Sequence, residues 1–189
     1  DLLVDDQTWR LRYLVAFLER SGSSAKHLVL PEDAAEISRP ADIIDLYLSQ
    51  SEFLACPSTV RHLPVSDHSQ LDPSSAAFRD PHLRSLDTIG HYNVSASDGP
   101  LVHLHGLIVE TSSWTVRYII VDTGNFINAK LVLVAPLAIA SIDWEREVIL
   151  VSLTIGEVNA CPEYDGDAEL SRQYEAFLYD YYGWTPYWS

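Results

Sequence analysis

Methionine is absent from the 189 residues, cysteine occurs only twice, and basic side chains are scarce, with 12 Lys and Arg against 27 Asp and Glu for a net charge of −15. A surface with that surplus repels phosphate backbones, which argues against nucleic acid as a partner. No basic amphipathic stretch is present to adsorb on anionic lipid. The longest apolar run, 131–142, is broken by Pro136 and is too short to span a bilayer, so direct membrane insertion by this chain is not expected. No signal peptide is visible; a cytoplasmic location is the expectation, with an extracellular or surface assembly as the alternative. Two cysteines make no disulfide framework. There is no glycine loop to cradle a phosphate and no Gly-x-Ser-x-Gly elbow, and neither cysteine has an activating sequence context. These absences point to a non-enzymatic protein without cofactors.

What is present is one pattern written twice, 105 positions apart. Leu2-Leu3-Val4 returns as Leu107-Ile108-Val109, and Trp9-x-x-Arg12-Tyr13-Leu14-Val15 returns as Trp114-x-x-Arg117-Tyr118-Ile119-Ile120. Glu52, Ala55-Cys56-Pro57 and Ser66 return as Glu157, Ala160-Cys161-Pro162 and Ser171. A repeat that keeps register so far predicts two units with small cores. The second copy has a lead-in, about 89–106, whose counterpart would fall before Asp1, so the chain reads as starting inside its first module. The expected division is a first module at 1–58 lacking its lead-in strand, a Pro/Ser-rich linker at 59–82, and a second module at 83–189.

The second copy alternates short strands with turn signals. Strands are expected at 94–96, 101–110, 114–121, 130–134 and 147–154, with Ser97-Asp98-Gly99-Pro100, Thr111-Ser112-Ser113 and Gly124-Asn125 as turns. Trp114, Val116, Tyr118 and Ile120 share one face of their strand. Ser171 caps a helix over 172–182 that ends at Gly183, with Tyr174, Phe177, Leu178 and Tyr181 on one apolar face. The aromatic ending through Trp184, Tyr187 and Trp188 is expected to dock on a barrel. The first copy follows the same course, with its turn rebuilt as Glu19-Arg20-Ser21-Gly22-Ser23-Ser24, Ser38-Arg39-Pro40 in place of the second copy's Asp143-Trp144 corner, and its helix cut short after Ser66-Asp67-His68. Regular short strands predict a mainly β chain, each copy a small antiparallel barrel or sandwich.

Val4-Asp5-Asp6-Gln7-Thr8-Trp9-Arg10-Leu11-Arg12-Tyr13-Leu14-Val15, together with Trp114 to Tyr118, Val121-Asp122-Thr123-Gly124, Ile142-Asp143-Trp144-Glu145 and the aromatic ending, resembles the PRC-barrel family. That family is named for the cytoplasmic domain of the photosynthetic reaction-centre H subunit. The resemblance implies a bacterial protein of two tandem PRC-type β-barrels. It implies binding and assembly rather than catalysis. Departures from the family pattern are Asp98-Gly99-Pro100-Leu101 and His103-Leu104-His105 in the second copy, and the lost Gly-rich loop and Asp-Trp corner in the first.

His103 and His105 point to one strand face at a spacing that suits a metal, with His91 nearby, but no Cys or acidic ligand stands at fixed spacing, and solvated side chains are the favoured reading. Asp5, Asp6, Glu110 and Asp122 lack the rhythm of a calcium loop, as does the run Glu163-Tyr164-Asp165-Gly166-Asp167. Cys56 and Cys161 occupy equivalent positions; a bridge requires adjacent Cβ atoms, and the favoured reading is a small side chain before proline at a strand-to-helix turn. The candidate interaction residues are Trp9, Arg12, Tyr13, Trp114, Arg117, Tyr118, Tyr181, Trp184, Tyr187 and Trp188. The expected function is self-association through barrel faces or an open strand edge along residues 2–12, as a homo-oligomer or with another protein in a larger assembly. Alternatives are an accessory subunit of a membrane or photosynthetic complex, and a small-ligand or metal sensor.

Overall fold

The structure, a computed structural model, describes residues 1–18, 25–38, 43–59, 62–66, 80–123, 130–166 and 169–189. The expected features at 19–24, 39–40, 67–68, 124–125 and 167 lie outside the described residues. The chain is mainly β and forms two compact units, Asp1–Ile89 with Val109–Val116 and Gly90–Ile108 with Arg117–Ser189.

In the first unit, strands β1 (Leu2–Asp5), β2 (Leu11–Phe17) and β3 (Lys26–Val29) form an antiparallel meander, with β4 (Ala34–Ser38) and β5 (Ile43–Leu46) as a separate hairpin. Helix α1 (Gln50–Ala55) follows, then β6 (Leu83–Ser85) and the single turn α2 (Leu86–Ile89). Alternation sends the meander's side chains to two faces: Leu3, Leu28 and Leu83 pack with Tyr13 and Val15, while Leu14 and Val29 pack with Phe53 of α1. β6, at the start of the expected second module, belongs to the first unit and pairs with β1 through Leu3↔Ser85, Val4↔Arg84 and Asp5↔Leu83. The open edge expected along residues 2–12 is therefore closed, because β1 is bonded to β2 on one side and β6 on the other.

The second unit contains β7 (Asn93–Ala96) and, apart from the hairpin tip at Val109–Val116, β8 (Gly99–Glu110) and β9 (Thr115–Asp122). β10 (Leu131–Val134), β11 (Ile139–Asp143) and β12 (Val148–Val151) complete a six-stranded sheet in the order β10-β9-β8-β7-β12-β11. β7 runs parallel to β12 and antiparallel to β8, which makes it the link between the meander and the β11–β12 hairpin. Two helices follow, α3 (Ile155–Ala160) and α4 (Arg172–Tyr182). α4 has the predicted bounds, capped by Ser171 and ended by Gly183 in the left-handed conformation. Its buried face is Glu175, Leu178 and Tyr179, whereas Phe177 is 58 % exposed, so the expected Tyr174-Phe177-Leu178-Tyr181 face is rotated. Because the packing of α4 and the aromatic ending is added to that of the sheet, both Tyr118 and its neighbour Ile119 are fully buried, in place of a single inner face on β9.

The two copies keep their offset element by element. The pairs β3 and β10, β4 and β11, β5 and β12, and α1 and α3 have matching bounds 105 residues apart. The two short helices start alike, with capping boxes Ser49/Glu52 and Thr154/Glu157. They end at Cys56 and Cys161, which are helix C-caps and not strand-to-helix turn residues, and both thiols are free. At this offset β7 has no counterpart within residues 1–189.

Candidate interaction surface

The sharpest shared device is the tryptophan corner. Trp9 and Trp114 hold φ of 56° and 51°, a left-handed conformation that a bulky residue adopts at a cost of about 1–3 kcal/mol. Ahead of Trp9, the Asp5 carboxylate accepts the N–H groups of Gln7 (3.1 Å) and Thr8 (2.9 Å) and the Thr8 hydroxyl (3.0 Å), which folds the turn. Burial pushes the Asp5 carboxyl up, but these bonds and the Arg12 charge outweigh it and hold it below the usual carboxylate range. Glu110 plays the matching part ahead of Trp114 by accepting the Ser113 hydroxyl. Within the first unit the corners exchange bonds reciprocally: Leu11 N–H donates to Trp114 C=O (2.7 Å) and Val116 N–H donates to Trp9 C=O (2.8 Å). Trp114 packs against the Leu14–Val29–Phe53 cluster, so a residue of the second copy completes a core of the first unit.

Several charged groups of the first unit pair with each other. Asp6 meets His82 Nδ1 at 2.9 Å and accepts from Arg84 Nε at 2.6 Å, which ties β6 to β1. The Arg12 guanidinium lies 3.4 Å from Asp5 and 3.7 Å from Asp80. Tyr13 is half-buried on the Leu3 cluster, with His62 tilted against its ring.

In the second unit the equivalent positions are used differently. Arg117 stacks over the Tyr187 ring at 3.8 Å. The Tyr118 hydroxyl donates to Glu175 at 2.8 Å, and the Tyr187 hydroxyl donates to the same oxygen at 3.0 Å. The other carboxylate oxygen meets Arg172 at 3.0 Å. Burial, reinforced by that carboxylate, pushes the Tyr118 phenol well above its ordinary value. Tyr179 is ringed by Trp184, Tyr187 and Trp188, and the Tyr181 hydroxyl donates to Glu157 C=O at 2.8 Å. The aromatic ending is thus docked within its own unit.

His103 and His105 are exposed on either side of the buried Leu104, with His91 also exposed, and among the described residues no cluster suits a metal ion. Cys161 is buried and Cys56 half-buried; burial raises both thiols, and the nearby Asp33 adds to the rise at Cys56.

The structure adds an apolar patch that the candidate residues do not include. On β5 and just after it, Ile43 is 51 %, Ile44 40 % and Tyr47 74 % exposed, with Leu54 of α1 also exposed. The contrast with the other copy is direct. Ile149, the counterpart of Ile44, is 0 % exposed and paired with Val94 of β7. Among the described residues β5 is paired with β4 on one side and has no strand on the other. No protein-family description matches the chain, and no curated protein sequence matches it.

Proposed function

We propose that this chain is a non-enzymatic protein-interaction and assembly module, built of two PRC-type β-barrel modules. The observation that carries this reading is the pair Ile44 and Ile149, equivalent by repeat, one exposed on an edge strand and the other buried in a strand paired on both sides. An edge with unpaired backbone groups and adjoining apolar side chains is a template for strand addition from another chain. The polar inventory supports the same reading, since Asp5, Asp6, Arg12, Arg84 and Glu175 are each engaged in ties that hold the fold.

In isolation such an edge associates weakly with its like, and the net charge of −15 opposes that association until salt screens it. Sedimentation velocity over about 1 to 100 µM, in low salt and at about 0.15 M, tests the reading. The expected result is a concentration-dependent rise in mass, larger at the higher salt and lost in Ile44→Lys. A single monomeric boundary at every concentration, with slow amide exchange along Ile43–Leu46, would overturn it.

A further inference from the structure

We infer that the aromatic cluster of the second unit is a one-electron relay. It takes an oxidising equivalent from an organic peroxyl radical at the surface and leaves it as a phenoxyl radical on Tyr118. The relay is independent of association through β5.

The rings run without a break from solvent to the buried phenol. Trp184 and Trp188 are half-buried, so each reaches water, and both lie against Tyr179 at centroid distances of 5.9 Å and 5.0 Å. Tyr179 in turn meets Tyr118 edge-on at 6.5 Å. Rings in such contact place their π-systems side by side, with no saturated chain between them. An indole gives up an electron while keeping its N–H, so either tryptophan passes a charge inward before any proton has moved.

At the inner end of the path stands a base. A phenol that loses an electron becomes a strong acid, so a tyrosine is readily oxidised only where a proton acceptor is within hydrogen-bond reach. The Tyr118 hydroxyl donates to Glu175 Oε1 at 2.8 Å. Burial raises the Tyr118 phenol well above its ordinary value, which keeps the proton in place until the electron leaves. Tyr182 is the contrast: it stacks on Trp184 at 4.3 Å, but its buried hydroxyl finds no acceptor oxygen, so a charge does not settle there. Tyr187 donates to the same Glu175 oxygen at 3.0 Å and is half-buried, whereas Tyr118 is fully buried. One carboxylate oxygen takes one proton, so one of these phenols is oxidised at a time. The radical that lasts is the one water does not reach.

Atoms and charge balance. One electron leaves Tyr118 by way of Tyr179 and a tryptophan and reduces the peroxyl radical, which takes a proton from water and becomes a hydroperoxide. The Tyr118 O–H bond breaks, an O–H bond forms on Glu175 Oε1, and the new O–H donates back to the phenoxyl oxygen. Arg172 stays on the other carboxylate oxygen throughout.

The test uses the full chain and a flash-generated oxidant, tris(bipyridine)ruthenium(III), with the phenoxyl radical followed by transient absorption and by EPR of freeze-quenched samples. The signal is expected to outlast that of free tyrosine at least about tenfold, and Tyr118→Phe should shorten its lifetime by a similar factor. Replacing Trp184 and Trp188 together with phenylalanine should slow its appearance about tenfold. Glu175→Gln keeps a carbonyl oxygen for the phenols but cannot hold the proton, so the yield should fall about as far. Deuterium oxide should slow radical formation in the unaltered protein about twofold or more, because the proton moves with the electron. That measurement needs no substitution, so a folding defect in a variant does not blunt the test. Peroxyl radicals from a thermally decomposed azo compound should give the same signal. A radical as long-lived in Tyr118→Phe as in the unaltered chain, or one indifferent to Glu175→Gln and to deuterium oxide, would overturn the proposal. So would an azo compound that yields no phenoxyl signal, or formation that is as fast without the tryptophans.

Discussion

Glu175 offers the most demanding test of how the second unit is held together. Its side chain is 4 % exposed on α4 and one oxygen accepts both the Tyr118 and the Tyr187 hydroxyls. Replacing it with alanine takes this acceptor from the buried Tyr118 hydroxyl and the half-buried Tyr187 hydroxyl, at about 1–3 kcal/mol for a buried donor and less for one that water can reach. The Arg172 pair adds little, since that guanidinium is about half exposed and screened by solvent. The total for Glu175→Ala is therefore about 3 kcal/mol, a fall of roughly 6–12 °C in the midpoint of a chain this size. Glu175→Gln keeps a carbonyl oxygen for both phenols and should cost about 1 kcal/mol. Tyr118→Phe should cost about the same, and combined with Glu175→Ala it should add much less than its single effect, because the orphaned donor is gone. Urea unfolding followed by tryptophan emission suits the question, since Trp184 and Trp188 lie against Tyr179 of the same helix. A Glu175→Ala protein within about 0.5 kcal/mol of wild type, or a Gln variant as unstable as the Ala variant, would refute the account of a satisfied buried carboxylate.

Two further outcomes follow from the first unit. Trp114→Ala should destabilise that unit by about 2–4 kcal/mol, because the ring belongs to the Leu14–Val29–Phe53 cluster; amide exchange along β2 and β3 should quicken, and unchanged rates there would contradict the assignment. Asp5, held below the usual carboxylate range in the folded chain, stabilises the corner fully above its unfolded pKa of about 3.9 and progressively less as pH falls through its lower folded value. Asp5→Asn should therefore remove part of the acid sensitivity of unfolding, and an unchanged slope of midpoint against pH below about 4 would show that the corner carries no such linkage.

The sequence offset states which positions are equivalent but not what each copy touches, and this divides the legible from the hidden. The strands of the second copy other than β11, the bounds of α4 and the aromatic docking could be read, because periodicity and capping are local signals. The helices α1 and α3 carried a local signal too, Ser49-x-x-Glu52 and Thr154-x-x-Glu157, but six residues are too few for a helical period to show. β6 could not be read: three residues at the end of a Pro-rich stretch become a strand only because β1 presents unpaired groups, a tertiary reason with no periodicity of its own. The left-handed Trp9 and Trp114 were hidden for the same kind of reason, since propensity opposes that conformation and only the surrounding bonds fix it.

Equivalent positions then diverge in use. Arg12 lies beside two aspartates while Arg117 stacks on a tyrosine, and Cys56 is half-buried while Cys161 is buried. In those pairs both members are engaged or at rest, so the divergence asks nothing of a partner. Ile44 and Ile149 differ in another way: one copy's backbone and side chain are covered by a strand and the other's are not. Burying an isoleucine contributes about 1.5–3 kcal/mol, and pairing a strand edge adds hydrogen bonds whose net worth is about 1 kcal/mol each. An association that covers Ile44 and pairs the free side of β5 would draw on both terms at once.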